Sequence, residues 1–360
     1  MAMLVLLVLL VVGASSGKLS YHCGNNHQFC KIAAGAERFG INYGRVADDL
    51  PSPLQVAALA KRENITHIKI FDADPVVLQA FRGTDVGVVV TVPNDEIPAV
   101  AANLPGARFW FDAYASPFIA EITTILVGNE VLKFSPHMST ILVPAMQNLY
   151  QILRAHDLAD KIKVSTPHAM DVLEKNSSSP PSNGMFRQQH VSTMQNLLEF
   201  LSISRSFFVL NVYPYFAFRE DKGATLSAEF ALLQSPKNSV TDPNTSFRYS
   251  NLLDAQLDAV YAAIEKLGYM NLQIVIGETG WPTAGGFGAT MQNAAIFTRN
   301  IICRTQDVEG TPARPAYTIQ AFVFSMFNED LKHNLMEQNF GLFYPNMTNV
   351  YPFKFSSDCK

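Results

Sequence analysis

Two glutamates stand out by their position. Glu130 ends the run Ile125-Leu126-Val127-Gly128-Asn129-Glu130, and Glu278 ends Ile274-Val275-Ile276-Gly277-Glu278. Each follows a short, near-continuous apolar stretch, the texture of a strand buried on both faces. A glycine lies one or two positions before each, where the missing side chain lets backbone or ligand approach closely. A single carboxylate after a buried strand serves equally well in an ion pair or a helix cap. Two of them at strand ends of one sheet point to a working pair. The carboxyl in the less polar setting keeps its proton and acts as general acid, while the other stays ionised and attacks or activates water. Cleaving a glycosidic bond needs these two roles.

Polar and aromatic residues gather at the same strand ends. Tyr43 closes the first run, Asp72 the second, Asn211 and Tyr213 the sixth; Trp281 follows Glu278, and Glu329 and Lys332 follow the eighth. Sugars offer apolar C–H faces to aromatic rings and hydroxyls to amides and carboxylates, so the mixture suits a polysaccharide cleft. Rival chemistries do not assemble. His168 follows the fifth run and is within reach of the same end of the sheet, but no paired histidine motif accompanies it, so no metal is expected. Cys303 lies in a helical segment, where it reads as buried or paired.

The elements that must position these residues alternate along the chain. Apolar runs span Phe39–Tyr43, His67–Phe71, Val86–Val92, Thr124–Gly128, Ile162–Ser165, Phe207–Tyr213, Leu272–Gly277 and Thr318–Phe327. Between them lie helical patterns at Pro53–Asn64, Ser139–His156, Asn251–Leu267 and Thr290–Arg304, and an irregular Ser/Pro/Asn-rich stretch from Glu174 to Gln189. Eight strands joined by helical connections predict a (β/α)8 TIM barrel, an α/β fold with a single catalytic domain at 39–356. An open doubly wound sheet is the alternative, but its G-x-G-x-x-G fingerprint is missing: Gly40 and Gly44 are four apart. Gly285, Gly286 and Gly288 read as a flexible surface loop.

The chain has 360 residues, 48% hydrophobic and only 16% charged, which excludes disorder and implies a well-buried core. A net charge of −4 advertises no basic face, so no nucleic-acid partner is expected. The apolar run Leu4–Val12, followed by small residues, predicts a secretory signal peptide over residues 1–17, with no membrane anchor. Residues 18–38 read as an amino-terminal extension. Cys23, Cys30, Cys303 and Cys359 allow two disulfides, and Asn64, Asn176, Asn244 and Asn346 begin glycosylation sequons. A secreted monomer, extracellular or in a cell wall, is expected.

Phe39-Gly40-Ile41-Asn42-Tyr43-Gly44, Val127-Gly128-Asn129-Glu130, Asn211-Val212-Tyr213-Pro214-Tyr215, Gly277-Glu278-Thr279-Gly280-Trp281-Pro282 and Phe327-Asn328-Glu329 together resemble the plant endo-β-1,3-glucanases of glycoside hydrolase family 17. The resemblance runs from about Phe39 to Phe355 in consistent order. It implies a retaining β-glucanase on a (β/α)8 barrel, acting on β-1,3-glucan without cofactor or metal. It further implies Glu130 as acid/base, Glu278 as nucleophile and Asn129 as a sugar contact, with Glu329, Lys332 and Glu337 as a charged network beside the nucleophile. Lys69 stands where arginine is common, and His333–Met336 replaces a longer Pro/Gly-containing loop. The carbohydrate-binding module that ends some relatives is not expected after Lys360. Remaining alternatives are a mixed-linkage β-1,3;1,4-glucanase, a transglycosylase on the same scaffold, or a non-catalytic glucan-binding defence protein.

Overall fold

The computed structural model describes residues 39–234, 239–355 and 359. Its strands are β1 (Phe39–Asn42), β2 (His67–Lys69), β3 (Gly87–Val92), β4 (Ile122–Val127), β5 (Lys163–Ser165), β6 (Pro167–Ala169), β7 (Phe208–Asn211), β8 (Val240–Thr241), β9 (Arg248–Tyr249), β10 (Ile274–Thr279) and β11 (Ala321–Val323). β8 and β9 pair antiparallel by themselves. The other nine form one parallel sheet in the order β5-β4-β3-β2-β1-β11-β10-β7-β6. That order curls into a nearly closed barrel, because its two ends, β5 and β6, are separated only by Thr166.

All eight expected runs therefore contribute strands, and a further strand that the runs did not include, β6, follows the fifth. Lys163–Ser165 pairs with β4, whereas Pro167–Ala169 pairs with β7. Pro167 has no N–H to donate, so the ladder changes partner there. The eighth run is shorter than its sequence suggests, keeping only Ala321–Val323 as strand.

The helices lie where the spacing predicts them. Pro53–Arg62 opens with a proline in its first turn, and Gln55 Oε1 accepts from the Ser52 N–H at 2.9 Å. Ser139–Ala155 buries Leu142, Met146, Leu149, Ile152 and Leu153, and Leu252–Lys266 buries Leu253, Leu257, Val260, Tyr261 and Ile264. Each such side chain contributes roughly 1.5–3 kcal/mol by leaving water, so these two stripes hold the helices against the barrel. Asn251 caps the second by accepting from the Asp254 N–H at 2.8 Å. Gly268, at φ +93°, stops it.

Cys303 and Cys359 form a disulfide with Cα atoms 5.3 Å apart, so Cys303 is paired. The expected signal peptide at 1–17, the 18–38 extension, Cys23 and Cys30 lie outside the described residues. Among the described residues, no helix is long and apolar enough to cross a membrane.

Candidate active site

β4 and β10 deliver the two glutamates to one end of the barrel. After β4, Gly128 and Glu130 both take positive φ, +70° and +49°. For a glutamate that conformation costs on the order of 1 kcal/mol, and it persists because the surroundings hold it. The Glu130 N–H donates to the Pro167 carbonyl at 3.0 Å, and the residue then opens the short helix Val131–Phe134. In β10 the register against β7 shifts between Ile276 and Glu278, leaving Gly277 as the extra residue. Such a bulge re-aims the side chain that follows it. A side chain at Gly277 would lie 2.5 Å from Val209 Cγ1 and 2.8 Å from Asn211 Oδ1, so glycine lets β7 and β10 meet beside the site.

Both carboxyls are buried, Glu130 at 8% exposure and Glu278 at 7%. Glu130 Oε1 accepts from Asn211 Nδ2 at 2.9 Å, and Oε2 accepts from Lys133 Nζ at 3.1 Å. Burial, reinforced by the negative charge of Glu278, pushes the Glu130 carboxyl above the usual glutamate range, while Asn211 and Lys133 oppose the shift. Glu278 Oε1 accepts from Lys69 Nζ at 2.8 Å, and Oε2 accepts from the Tyr213 hydroxyl at 2.9 Å. Burial, followed by the charge of Glu278, raises the Tyr213 phenol well above its ordinary value, so the hydroxyl stays a donor. One carboxyl thus leans towards its protonated form, and the other receives two strong donors.

The pair faces a cavity of about 850 Å³. Tyr43, Asn129, Glu130, Tyr213, Glu278, Glu329, Lys332 and Glu337 all line it. Asn211 stands behind, joining Asn129 Oδ1 at 3.3 Å to Glu130. The Asn129 N–H donates to Asn94 Oδ1 at 2.7 Å, which fixes the turn that carries both residues. Glu329 is 1% exposed, and its Oε1 accepts from the Val46 N–H at 2.8 Å. Its carboxyl is raised by burial and restrained by Lys332, whose ammonium lies 5.2 Å from the Phe324 ring. Glu329 packs so closely on Gly44 that a Cβ there would sit 2.5 Å from its oxygens. Glu337 adds a third negative charge felt by Glu329 and Tyr213.

Trp281 is not brought to the cleft. It is 1% exposed, its indole N–H donates to the Gly288 carbonyl at 2.8 Å, and it packs on Tyr215, Phe218 and Phe297. Its ring supports the cleft floor from behind through Tyr215, which packs on Phe340. His168 also stays out of the cleft. It sits in β6 at 1% exposure, stacked on Phe208 with centroids 5.0 Å apart, and burial depresses its pKa to about 3. It is a neutral core ring.

Other residues of the cleft carried weaker signals. Lys69, flanked by Ile68 and Ile70, is a charge inside an apolar strand, and a charge in that setting demands a partner. Arg45 pairs with Asp72 and, at 2.9 Å, with Asp74. Lys133 follows Glu130 by three residues, a spacing that makes neighbours on a helix. Phe71, Phe134, Phe216, Phe324 and Phe340 supply aromatic walls that a single sequence does not separate from core phenylalanines.

Comparison with known proteins agrees with this geometry. The glycosyl hydrolases family 17 model matches residues 39–355. Glucan endo-1,3-beta-glucosidase 14 of Arabidopsis thaliana is 39% identical over 87% of this chain and 80% of its own length. The putative glucan endo-1,3-beta-glucosidase GVI of Hordeum vulgare is 40% identical over 90% of this chain and 99% of its own. Against other Arabidopsis thaliana relatives, glucan endo-1,3-beta-glucosidases 13 and 12, the chain spans only 64% and 61% of their length. The structure of CJP38, a beta-1,3-glucanase and pollen allergen of Cryptomeria japonica, superposes with a TM-score of 0.84 at 40% identity, covering 89% of this chain and all of that one. With its parallel barrel, its two glutamates after β4 and in β10, and a family match from the first barrel strand to Phe355, the chain belongs to glycoside hydrolase family 17.

Proposed function

We propose that the chain is a secreted endo-β-1,3-glucanase that retains anomeric configuration through double displacement. The observation that carries the reading is the unequal treatment of two carboxyls in one cleft: burial biases Glu130 towards its acid form, and Lys69 and Tyr213 both donate to Glu278. Glu278 attacks the anomeric carbon while Glu130 gives its proton to the departing oxygen. Glu130, now a carboxylate, then takes a proton from water, which displaces Glu278 and restores both groups. Asn129 contacts the sugar at the cleavage point, and the aromatic walls receive the flanking glucosyl faces. The mechanism draws on side chains alone. Secretion rests on the apolar run Leu4–Val12.

The test is product analysis on laminarin, mixed-linkage glucan and cellulose, with the configuration of the first products followed by NMR. Laminarin cleaved internally to β-configured products supports the reading; α-configured initial products, or preference for mixed-linkage glucan, refute it. Glu278→Ala should abolish turnover. Glu130→Ala should keep attack on substrates with activated leaving groups and, with azide added, yield a β-glycosyl azide.

A further inference from the structure

The double-displacement reading moves charge through the site, and it gives no role to one buried cation there. Lys69 is 0% exposed in β2. Its ammonium donates to Glu278 Oε1 at 2.8 Å and reaches the Gly277 carbonyl at 3.5 Å, with the Phe71 ring centroid 4.3 Å away. β2 and β10 are not neighbours, since β1 and β11 lie between them. The contact therefore crosses the barrel interior. Besides Lys69, the ionisable groups facing Glu278 are Tyr213, Glu130, Glu329 with its partner Lys332, and Glu337; Lys69 is the one cation among them bonded directly to Glu278.

In the resting site, the negative charge of Glu278 balances Lys69. When Glu278 bonds to the anomeric carbon, the glycosidic bond breaks and its electron pair leaves with the departing oxygen, which takes the Glu130 proton. Glu278 is then a neutral ester and the negative charge has moved to Glu130. Lys69 keeps its charge with only an ester oxygen, the Gly277 carbonyl and the Phe71 face beside it. A buried cation that has lost its counter-charge is costly. When water adds, its proton passes to Glu130, the ester C–O bond breaks towards oxygen, and the carboxylate returns to Lys69.

We propose that Lys69 is a positioning residue that opposes accumulation of the glycosyl-enzyme: it holds Glu278 aimed across the barrel and makes Glu278 a better leaving group in the second displacement. The inference rests on Glu278 being the nucleophile. A charge-assisted hydrogen bond regained in that step corresponds to roughly a 10- to 100-fold faster release.

The experiment compares wild type, Lys69→Gln, Lys69→Met and Lys69→Arg on a dinitrophenyl β-laminaribioside, reading the burst of dinitrophenolate, the steady-state rate and the pH profile of kcat/KM. Gln keeps length and a donor but not the charge, so it decides the matter if Met does not fold. The expected result is a near-stoichiometric burst, a steady state slowed roughly 10- to 100-fold, and an acid limb moved to higher pH in Gln and Met. Arg should restore the wild-type pattern. A folded Gln variant with no burst and an unmoved acid limb overturns the role of Lys69, as does a loss of kcat/KM that is uniform at all pH values. Failure of the underlying reading looks different: wild type does not cleave laminarin, or Glu278→Ala still turns over, and then both conclusions fall.

Discussion

Lys133 offers the cleanest test of how the acid is tuned. Its ammonium lies 3.1 Å from Glu130 Oε2, with 42% of its side chain exposed. At that separation Coulomb's law gives roughly 5 kcal/mol at an effective dielectric of about 20 and about 1.3 kcal/mol at 80. Exposure places Lys133 near the watery limit, so about 1 kcal/mol is the reasonable figure. One pH unit corresponds to about 1.4 kcal/mol, which makes this roughly 0.7 of a unit. The sign follows from the charges. A cation beside a carboxyl favours its ionised form, so removing it keeps Glu130 protonated to higher pH. Lys133→Met should therefore move the basic limb of kcat upward by about 0.5–1 unit, measured on laminarin at low ionic strength. In about 1 M salt, where the screening length falls to about 3 Å, the difference from wild type should shrink. A downward shift, or a shift confined to the acid limb, would refute Glu130 as the proton donor tuned by this lysine.

Three further outcomes follow from named contacts. Tyr213→Phe removes the donor to Glu278 Oε2 at 2.9 Å; kcat/KM should fall roughly 10-fold or more, and an unchanged value would show that the bond does not support attack. Asp258, 2% exposed, accepts from the Ala313 N–H at 2.8 Å, and burial raises its pKa to about 6. Because its folded value lies above the unfolded one, its favourable contribution is complete below about pH 4 and is lost as pH rises through 6, by about 3 kcal/mol in all. Asp258→Asn should flatten that part of the stability curve in urea titrations at pH 4 to 7, and a parallel curve would sink the assignment. Cys303→Ser should lower the unfolding free energy, by up to roughly 4 kcal/mol for a loop of this length, with sequence separation 56; an unchanged melting temperature in non-reducing buffer would contradict it.

The barrel and its two glutamates were legible because they rest on local signals. Buried parallel strands write themselves as apolar runs, and Glu130 and Glu278 stand directly beside theirs. What the sequence did not reveal depends on contacts made across the barrel. Lys69 and Glu278 are 209 residues apart, and nothing in either segment names the other. Trp281 shows the reverse error. Its place just after Glu278 suggested a sugar contact, yet its side chain turns inward to Gly288. Position along the chain fixes which end of the strand a residue occupies, not which way its side chain points once the strand has ended. Phe134, 67% exposed, and Phe340, 2% exposed, both line the cleft, and composition treats them alike.

The split fifth rung has a mechanical meaning. In a fully laddered barrel every strand is gripped from both sides, but β5 is gripped by β4 alone and β6 by β7 alone, so Thr166 is a hinge pin closing the ring. The Glu130 amide hangs on the carbonyl of Pro167, the residue next to that pin. Glu278, by contrast, sits in β10, held between β7 and β11. Glu130 is thus mounted on the seam of the barrel, and Glu278 on a strand laddered on both sides.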